Sequence, residues 1–128
     1  MKRIIYTNAA PEPIGPYSQA VQAGNMLFVS GQVAIDPASN ELIKGSVADE
    51  AKQVMKNIEI LLANAGYTFS DIVKTTIFLT DMKYFAEVNE IYGSYFTSDY
   101  PARETVAAAG LPKNVNVEIS VTAYKTSN

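Results

Sequence analysis

The chain contains no cysteine and no histidine. Without cysteine there is no disulfide, no thiol nucleophile and no thiolate metal site. Without histidine there is no imidazole base, no Ser-His-Asp triad and no ordinary zinc site. No carboxylate cluster stands at metal-ligand spacing, so no metal is expected. No run of like charges occurs, and the net charge is -3. Nucleic acids and anionic membranes call for clustered Lys and Arg, so neither is an expected partner. The first residues, Met1-Lys2-Arg3-Ile4-Ile5-Tyr6-Thr7, lack the apolar stretch of a signal peptide, and no segment is apolar over a membrane-spanning length. A cytoplasmic location is the expectation. Acid–base chemistry is left to Asp, Glu, Lys, Tyr or bound water.

What is present describes a globular protein. Of 128 residues, 48% are hydrophobic and 18% charged, which suits one domain, 1–128, with a sizeable core. Residues 3–7 are predicted to form a short edge strand. Pro11, Pro13, Gly15 and Pro16 make a stiff connector that cannot be helical. Residues 17–23 alternate weakly. After the turn at Ala23-Gly24-Asn25, residues 26–35 are apolar enough for a central strand. Gly31 interrupts that strand, marking a bulge or a close approach to the backbone. Residues 36–40 read as a loop.

Residues 46–65 carry Ala48, Ala51, Met55, Ile58, Leu62 and Ala65 at helical spacing. Ser46 with Asp49 resembles a capping box, and Gly66 is a natural stop. Residues 72–80 are predicted as a strand with Val73, Thr75, Ile77 and Leu79 on one face. Asp81 is placed to cap a second helix over 83–96, its inner stripe built from Phe85, Val88, Ile91 or Tyr92, and Tyr95 or Phe96. The order strand–strand–helix–strand–helix–strand–strand predicts an α+β fold, a mixed sheet with two helices packed on one face.

The last two strands concern chemistry most. Residues 115–122 alternate strictly, Val115, Val117, Ile119 and Val121 against Asn116, Glu118, Ser120 and Thr122. The turn-like Gly110-Leu111-Pro112-Lys113-Asn114 precedes them, so a hairpin with residues 101–106 is expected. If Ala109 pairs with Asn114, Thr105 lies opposite Glu118 and Arg103 opposite Ser120. Val106 and Ala108 then join the valine face, and Arg103, Thr105 and Glu118 share the other. A slip of one residue would separate them.

Several of these residues can carry chemistry, each with a plainer alternative. Arg103 offers a two-pronged cation to a carboxylate, but most arginines form surface ion pairs. Glu118, between Val117 and Ile119, becomes a useful base if its face is covered, or else is a solvated strand residue. Thr105 offers a hydroxyl that could hold a water, or serves only β-propensity. Tyr17 closes a pocket or packs. Ser30 and Gly31 expose backbone that a small ligand can reach. Asn89 is polar beside a buried stripe, or merely on a helix surface.

The ordered motifs Ile14-Gly15-Pro16-Tyr17-Ser18-Gln19-Ala20, Phe28-Val29-Ser30-Gly31-Gln32, Asp71-Ile72-Val73-Lys74-Thr75-Thr76-Ile77-Phe78-Leu79, Phe85-Ala86-Glu87-Val88-Asn89-Glu90-Ile91-Tyr92, Pro101-Ala102-Arg103, Leu111-Pro112-Lys113 and Val117-Glu118-Ile119 resemble the Rid family of reactive-intermediate deaminases, the YjgF-type proteins, and its RidA branch. The match runs from about Asn8 to Tyr124. The resemblance implies a chorismate-mutase-like fold in a homotrimer, with sites between subunits. It implies cofactor-free hydrolysis of 2-imino acids such as 2-iminopropanoate and 2-iminobutanoate, which arise from enamines released by pyridoxal-phosphate dehydratases, to 2-oxo acids and ammonia.

In that pattern Arg103 binds the substrate carboxylate and Glu118 positions or activates water. Tyr17, Ser30, Gly31 and Asn89 match the other pocket positions. An imine is already electrophilic, so the lack of Cys and His is no handicap. Two departures stand out. Thr105 occupies the position of the usual site cysteine, and Gly110 replaces a family cation; both bear on substrate range and rate. A non-catalytic binder of small carboxylates, or a regulatory or chaperone-like trimer, is the alternative on the same scaffold. A ribonuclease is disfavoured by the acidic balance and the missing histidine.

Overall fold

A computed structural model describes residues 1–126. Eight strands and two α-helices follow one another: β1 (Lys2–Ile5), β2 (Ala20–Ala23), β3 (Met26–Gln32), β4 (Ile35–Asp36), β5 (Glu41–Leu42), α1 (Val47–Ala65), β6 (Ile72–Leu79), α2 (Phe85–Gly93), β7 (Ala102–Ala107) and β8 (Val117–Tyr124). Six strands form one sheet in the order β1-β2-β3-β8-β6-β7, and β4 and β5 pair separately. All pairings in the large sheet are antiparallel except β6 with β7, which is parallel. The expected α+β class and mixed sheet are therefore present. Among the described residues no helix is long and apolar enough to cross a membrane.

Local chemistry sets the element ends. Ser46 caps α1 by accepting from the Asp49 amide at 3.1 Å. Gly66 closes it at φ 86°, a left-handed conformation that costs glycine little. Along α1, Ala51, Val54, Met55, Ile58, Leu61 and Leu62 are buried, whereas Ala48 and Ala65 are only partly so. They pack on Leu27 and Val29 of β3, Ile77 and Leu79 of β6, and Val117, Ile119, Val121 and Ala123 of β8. Asp81 accepts from the Lys83 amide as expected, but the helix it starts is a 3-10 turn, Met82–Tyr84, running into α2. That helix stops at Gly93, short of the predicted Phe96.

Two further sequence expectations fail. The first concerns Val73, expected on one face with Thr75, Ile77 and Leu79. A register break between Ile72 and Lys74 turns it outward, 45% exposed, while Ile72, Thr75, Ile77 and Leu79 face the core. The second is the hairpin. β7 does not pair with β8, because β6 lies between them. β8 carries an unbroken apolar face and belongs at the sheet centre, where β3 and β6 occupy both its edges. β7, exposed over most of its length, lies at the edge, delivered parallel to β6 by the crossover through α2. The connection 108–116 then passes the end of β6. It is tied there by Ala108 N donating to Leu79 O at 2.7 Å and Thr80 N donating to Asn116 O at 3.1 Å.

This topology decides the faces. Ile77 is opposite both Thr105 and Ile119, and Thr75 is opposite Arg103 and Val121. Phe78 is opposite both Val106 and Glu118. Successive side chains alternate across a sheet. Arg103 and Thr105 thus lie on the helix-covered side and Glu118 on the other. Val106, expected on the valine face, stands on the Glu118 side instead, 43% exposed.

Candidate functional site

The seven predicted site residues fall into groups that one chain does not bring together. Tyr17, Ser30, Gly31 and Glu118 line one cleft of about 360 Å³, with Pro11, Glu12, Ile14, Gln19, Gln32, Val33, Ile35, Pro112 and Lys113. Arg103 and Asn89 line another hollow, about 410 Å³, with Tyr92, Gly93, Tyr100 and Pro101. Thr105 sits just behind Arg103, on the helix side.

The Glu118 cleft is built on the β3 bulge. Between Val29, opposite Val121, and Gln32, opposite Ile119, β3 carries one residue more than β8. Ser30 and Gly31 fill that interval. A Cβ on Gly31 would stand 2.2 Å from Glu118 Oε2, so the missing side chain is the space the carboxylate occupies. Both meanings the sequence offered for Gly31, bulge and close approach, hold at once. Gly31 makes room for Glu118, a role distinct from offering backbone to a ligand. Burial pushes the Glu118 carboxyl above the usual range, because a desolvated carboxylate is costly to ionise. Ser30 Oγ donates to Ser18 O at 2.6 Å, so its proton is already engaged in holding the proline-rich connector. The same connector is gripped by Gln19, whose amide meets Thr7, Ala10 and Pro11. Tyr17, half exposed, forms one wall of the cleft.

The Arg103 hollow is a platform of aromatic rings. The guanidinium carbon is 5.3 Å from the centre of the Tyr92 ring and 5.7 Å from that of Phe85. Arg103 Nη1 donates to Asn89 Oδ1 at 2.6 Å. Phe85, Asn89 and Tyr92 follow one another at intervals of four and three along α2, so one helix face presents all three. Among the described residues Arg103 has no carboxylate partner; the ion pair found there is Lys74–Glu104, 3.7 Å apart. The plain reading of Arg103 as a surface ion pair is therefore not met. A guanidinium with five N–H donors and one neutral acceptor keeps donors for an anion. Tyr92 is anchored in turn by its hydroxyl, which donates to the buried Thr75 Oγ1 at 2.9 Å.

Thr105 behaves differently from the expectation of a water-holding hydroxyl. Its Oγ1 is sealed from solvent and has no hydrogen-bond partner among the described residues. The space around it, between Ile77, Leu79, Phe85 and Val88, is too small for a water. The side chain lies against packed apolar groups.

Sequence reasoning overlooked Tyr92 and Phe85 as partners of Arg103, Tyr100 in the same hollow, and Lys113 and Glu12 in the Glu118 cleft. The signal available was Asn89 itself: a polar residue within an aromatic stripe indicates that the stripe serves something polar. Lys113 carried no comparable signal. It and Asn114 hold left-handed backbone at φ 56° and 57°, which no sequence pattern announced.

A small α+β protein with a carboxylate in one cleft and an anion-ready arginine on the opposite side is the class that fold and geometry define. The family model described as Endoribonuclease L-PSP matches residues 7–125. The chain belongs to that family, the YjgF/Rid proteins. It is 50% identical over 125 residues to a RutC family protein of Pyrococcus horikoshii, covering 98% of this chain and 99% of the relative. To the 2-iminobutanoate/2-iminopropanoate deaminase of Homo sapiens it is 47% identical over 125 residues, 98% of this chain and 91% of that protein. The crystal structure of a Thermotoga maritima protein described as an endoribonuclease superposes with a TM-score of 0.96 at 48% identity, covering 99% of this chain and all of the other.

Proposed function

We propose that the protein hydrolyses reactive 2-imino acids, 2-iminopropanoate and 2-iminobutanoate among them, to 2-oxo acids and ammonia. The observation that carries this is the division of the site: a carboxylate with a raised pKa in one cleft, an unpaired guanidinium in another, on opposite faces of one sheet. Two such halves are complementary across copies. The proposed assembly is a homotrimer in which the Arg103 platform of one copy faces the Glu118 cleft of the next. The helix-free face of the sheet, which exposes Ile4, Phe28 and Val106, is suited to being covered in such an assembly.

In the proposed reaction Arg103 holds the substrate carboxylate by paired hydrogen bonds while Asn89 and the two rings fix its plane. Glu118 takes a proton from water as the oxygen adds to the imine carbon, and the imine nitrogen gains a proton. Collapse of the carbinolamine expels ammonia and leaves the C=O of the 2-oxo acid. The elevated pKa keeps Glu118 basic enough to accept that proton and acidic enough to return it. No cofactor takes part, and the family's ribonuclease description does not enter this reading. A pure carboxylate binder would use Arg103 but gain nothing from a second, like charge at Glu118.

The test is a coupled assay in which an amino acid oxidase or dehydratase supplies the imine and its loss is followed with and without the protein. No acceleration at any protein concentration removes the reading. Mixing tests the divided site. Arg103→Ala and Glu118→Gln chains, each inactive alone, are co-refolded in equal amounts; sites shared between copies recover about a quarter of wild-type activity by random assortment. Recovery of none would place both groups' functions within one chain.

A further inference from the structure

Glu50 belongs to neither half of the site, yet it is a carboxylate only 7% exposed with no ion-pair partner among the described residues. It stands in the first turn of α1, where the positive end of the helix favours it. Both its oxygens are directed at one residue. Oε1 accepts from the backbone N–H of Asn116 at 3.1 Å, and Oε2 accepts from Asn116 Nδ2 at 2.6 Å. On its other side Asn116 meets the end of β6: its Oδ1 accepts from Thr80 Oγ1 at 3.3 Å and its carbonyl from Thr80 N at 3.1 Å. A carboxylate can only accept, so Glu50 dictates which way the Asn116 amide faces, and that orientation makes Thr80 the donor. An apolar side chain would fill the same space without the desolvation cost of a buried charge. What a carboxylate alone supplies is two acceptors in one plane, matched to two donors of one residue.

Asn116 follows Lys113 by three positions and precedes Glu118 by two, and both line the cleft. The strand between has little freedom, because Val117 packs in the core and Glu118 Oε2 occupies the place of a Gly31 side chain. We propose that Glu50 is a positioning residue: by gripping Asn116 at two points it sets the entry of β8, and so where the Glu118 carboxylate and Lys113 stand in the cleft. Its effect on turnover rests on the imine-hydrolysis reading; its effect on the placement of Glu118 does not.

The experiment compares wild type, Glu50→Gln and the exchanged pair Glu50→Gln/Asn116→Asp. In the single variant an NH₂ replaces one acceptor and faces the Asn116 NH₂. In the pair the new amide donates to the new carboxylate, and both arms return. The Glu118 carboxyl titration, followed by side-chain ¹³C NMR, is expected to move by about 0.5 pH in Glu50→Gln and to return in the pair. With the imine assay, kcat falls about tenfold in Glu50→Gln with KM within about twofold, and the pair recovers to within about threefold of wild type. A Glu118 midpoint that stays at its wild-type value in Glu50→Gln, or that the pair does not restore, overturns the proposal. If Glu50→Gln does not fold, Asn116→Ala is measured instead and its Glu118 midpoint is judged in the same way. A wild type that hydrolyses no imine sinks the functional reading alone, since the titration still decides the grip on Asn116.

Discussion

The carboxylate of Glu118 stands in a cleft walled by prolines and aliphatic side chains, whereas the guanidinium of Arg103 lies exposed across two aromatic rings. The two regions treat charge in opposite ways. The cleft partly withholds water from the Glu118 carboxylate, and the raised pKa is the result. The platform leaves a permanent cation hydrated, fixing its plane through rings and one amide oxygen without neutralising it. Under the proposed reaction, the base is tuned by burial and the anchor by orientation. Lesions in the cleft should therefore act on turnover, and lesions on the platform on binding.

The largest expected effect tests the cleft. Glu118→Gln should lower kcat about 10²–10⁴-fold with substrate binding retained; a rise in KM at unchanged kcat would erase the contrast. The same residue gives a pH signature. If Glu118 is the base, kcat/KM rises with pH through an acid limb set above the usual carboxylate range, and the limb disappears in Glu118→Gln. Stability runs the other way. The folded carboxyl has the higher pKa, so the folded state binds its proton more tightly. That contribution is fully present below the unfolded pKa of about 4.3 and is lost as pH rises through the folded value. Thermal melts should accordingly show Glu118→Gln more stable than wild type at pH 7, with the gain gone near pH 4.

Arg103→Ala comes next, a loss of about 10²–10³-fold in kcat/KM carried mostly by KM, with Arg103→Lys recovering only part because it lacks the planar fork. Initial-rate kinetics over a wide substrate range separate the two parameters. Should Arg103→Ala lower kcat alone, the platform is not an anchor. Gly31→Ala is smaller and sharper. The added methyl displaces the Glu118 carboxylate, the movable end of a side chain, so kcat should fall about tenfold while the melting temperature changes little. The smallest effect belongs to Thr105→Val. Its hydroxyl is buried without a partner, so an isosteric methyl should leave stability within about 0.5 kcal/mol of wild type or raise it, as chemical denaturation would show.

Much of the fold was legible because it is local. Ser46, Gly66 and Asp81 mark element ends through hydrogen bonds within a few residues of themselves. The stripe Ala51, Met55, Ile58, Leu62 and the alternation Val117, Ile119, Val121 are periods that a helix or strand must express. Gly31 was legible as an anomaly within such a period. The ordered motifs carried the family, and with it the seven predicted site residues, all of which line one of the two hollows or pack directly behind one. The second helix ran shorter than predicted because Tyr95 and Phe96 leave helical geometry to pack against Phe69 in an aromatic cluster, a contact 26 or more residues distant.

What the sequence determined by itself is which residues of a strand share a side. It did not determine which strand lies alongside. Periodicity is a property of one segment; pairing is a competition among all of them for edges and for cover. β8 had enough apolar surface to take the centre, and β6 took the edge on which β7 had been expected. That one insertion, stabilised by the α2 crossover and by the Glu50–Asn116–Thr80 junction, moved Arg103 and Glu118 from one face to two. The residues were written in the chain, but their separation onto two faces of the sheet was settled only by its packing.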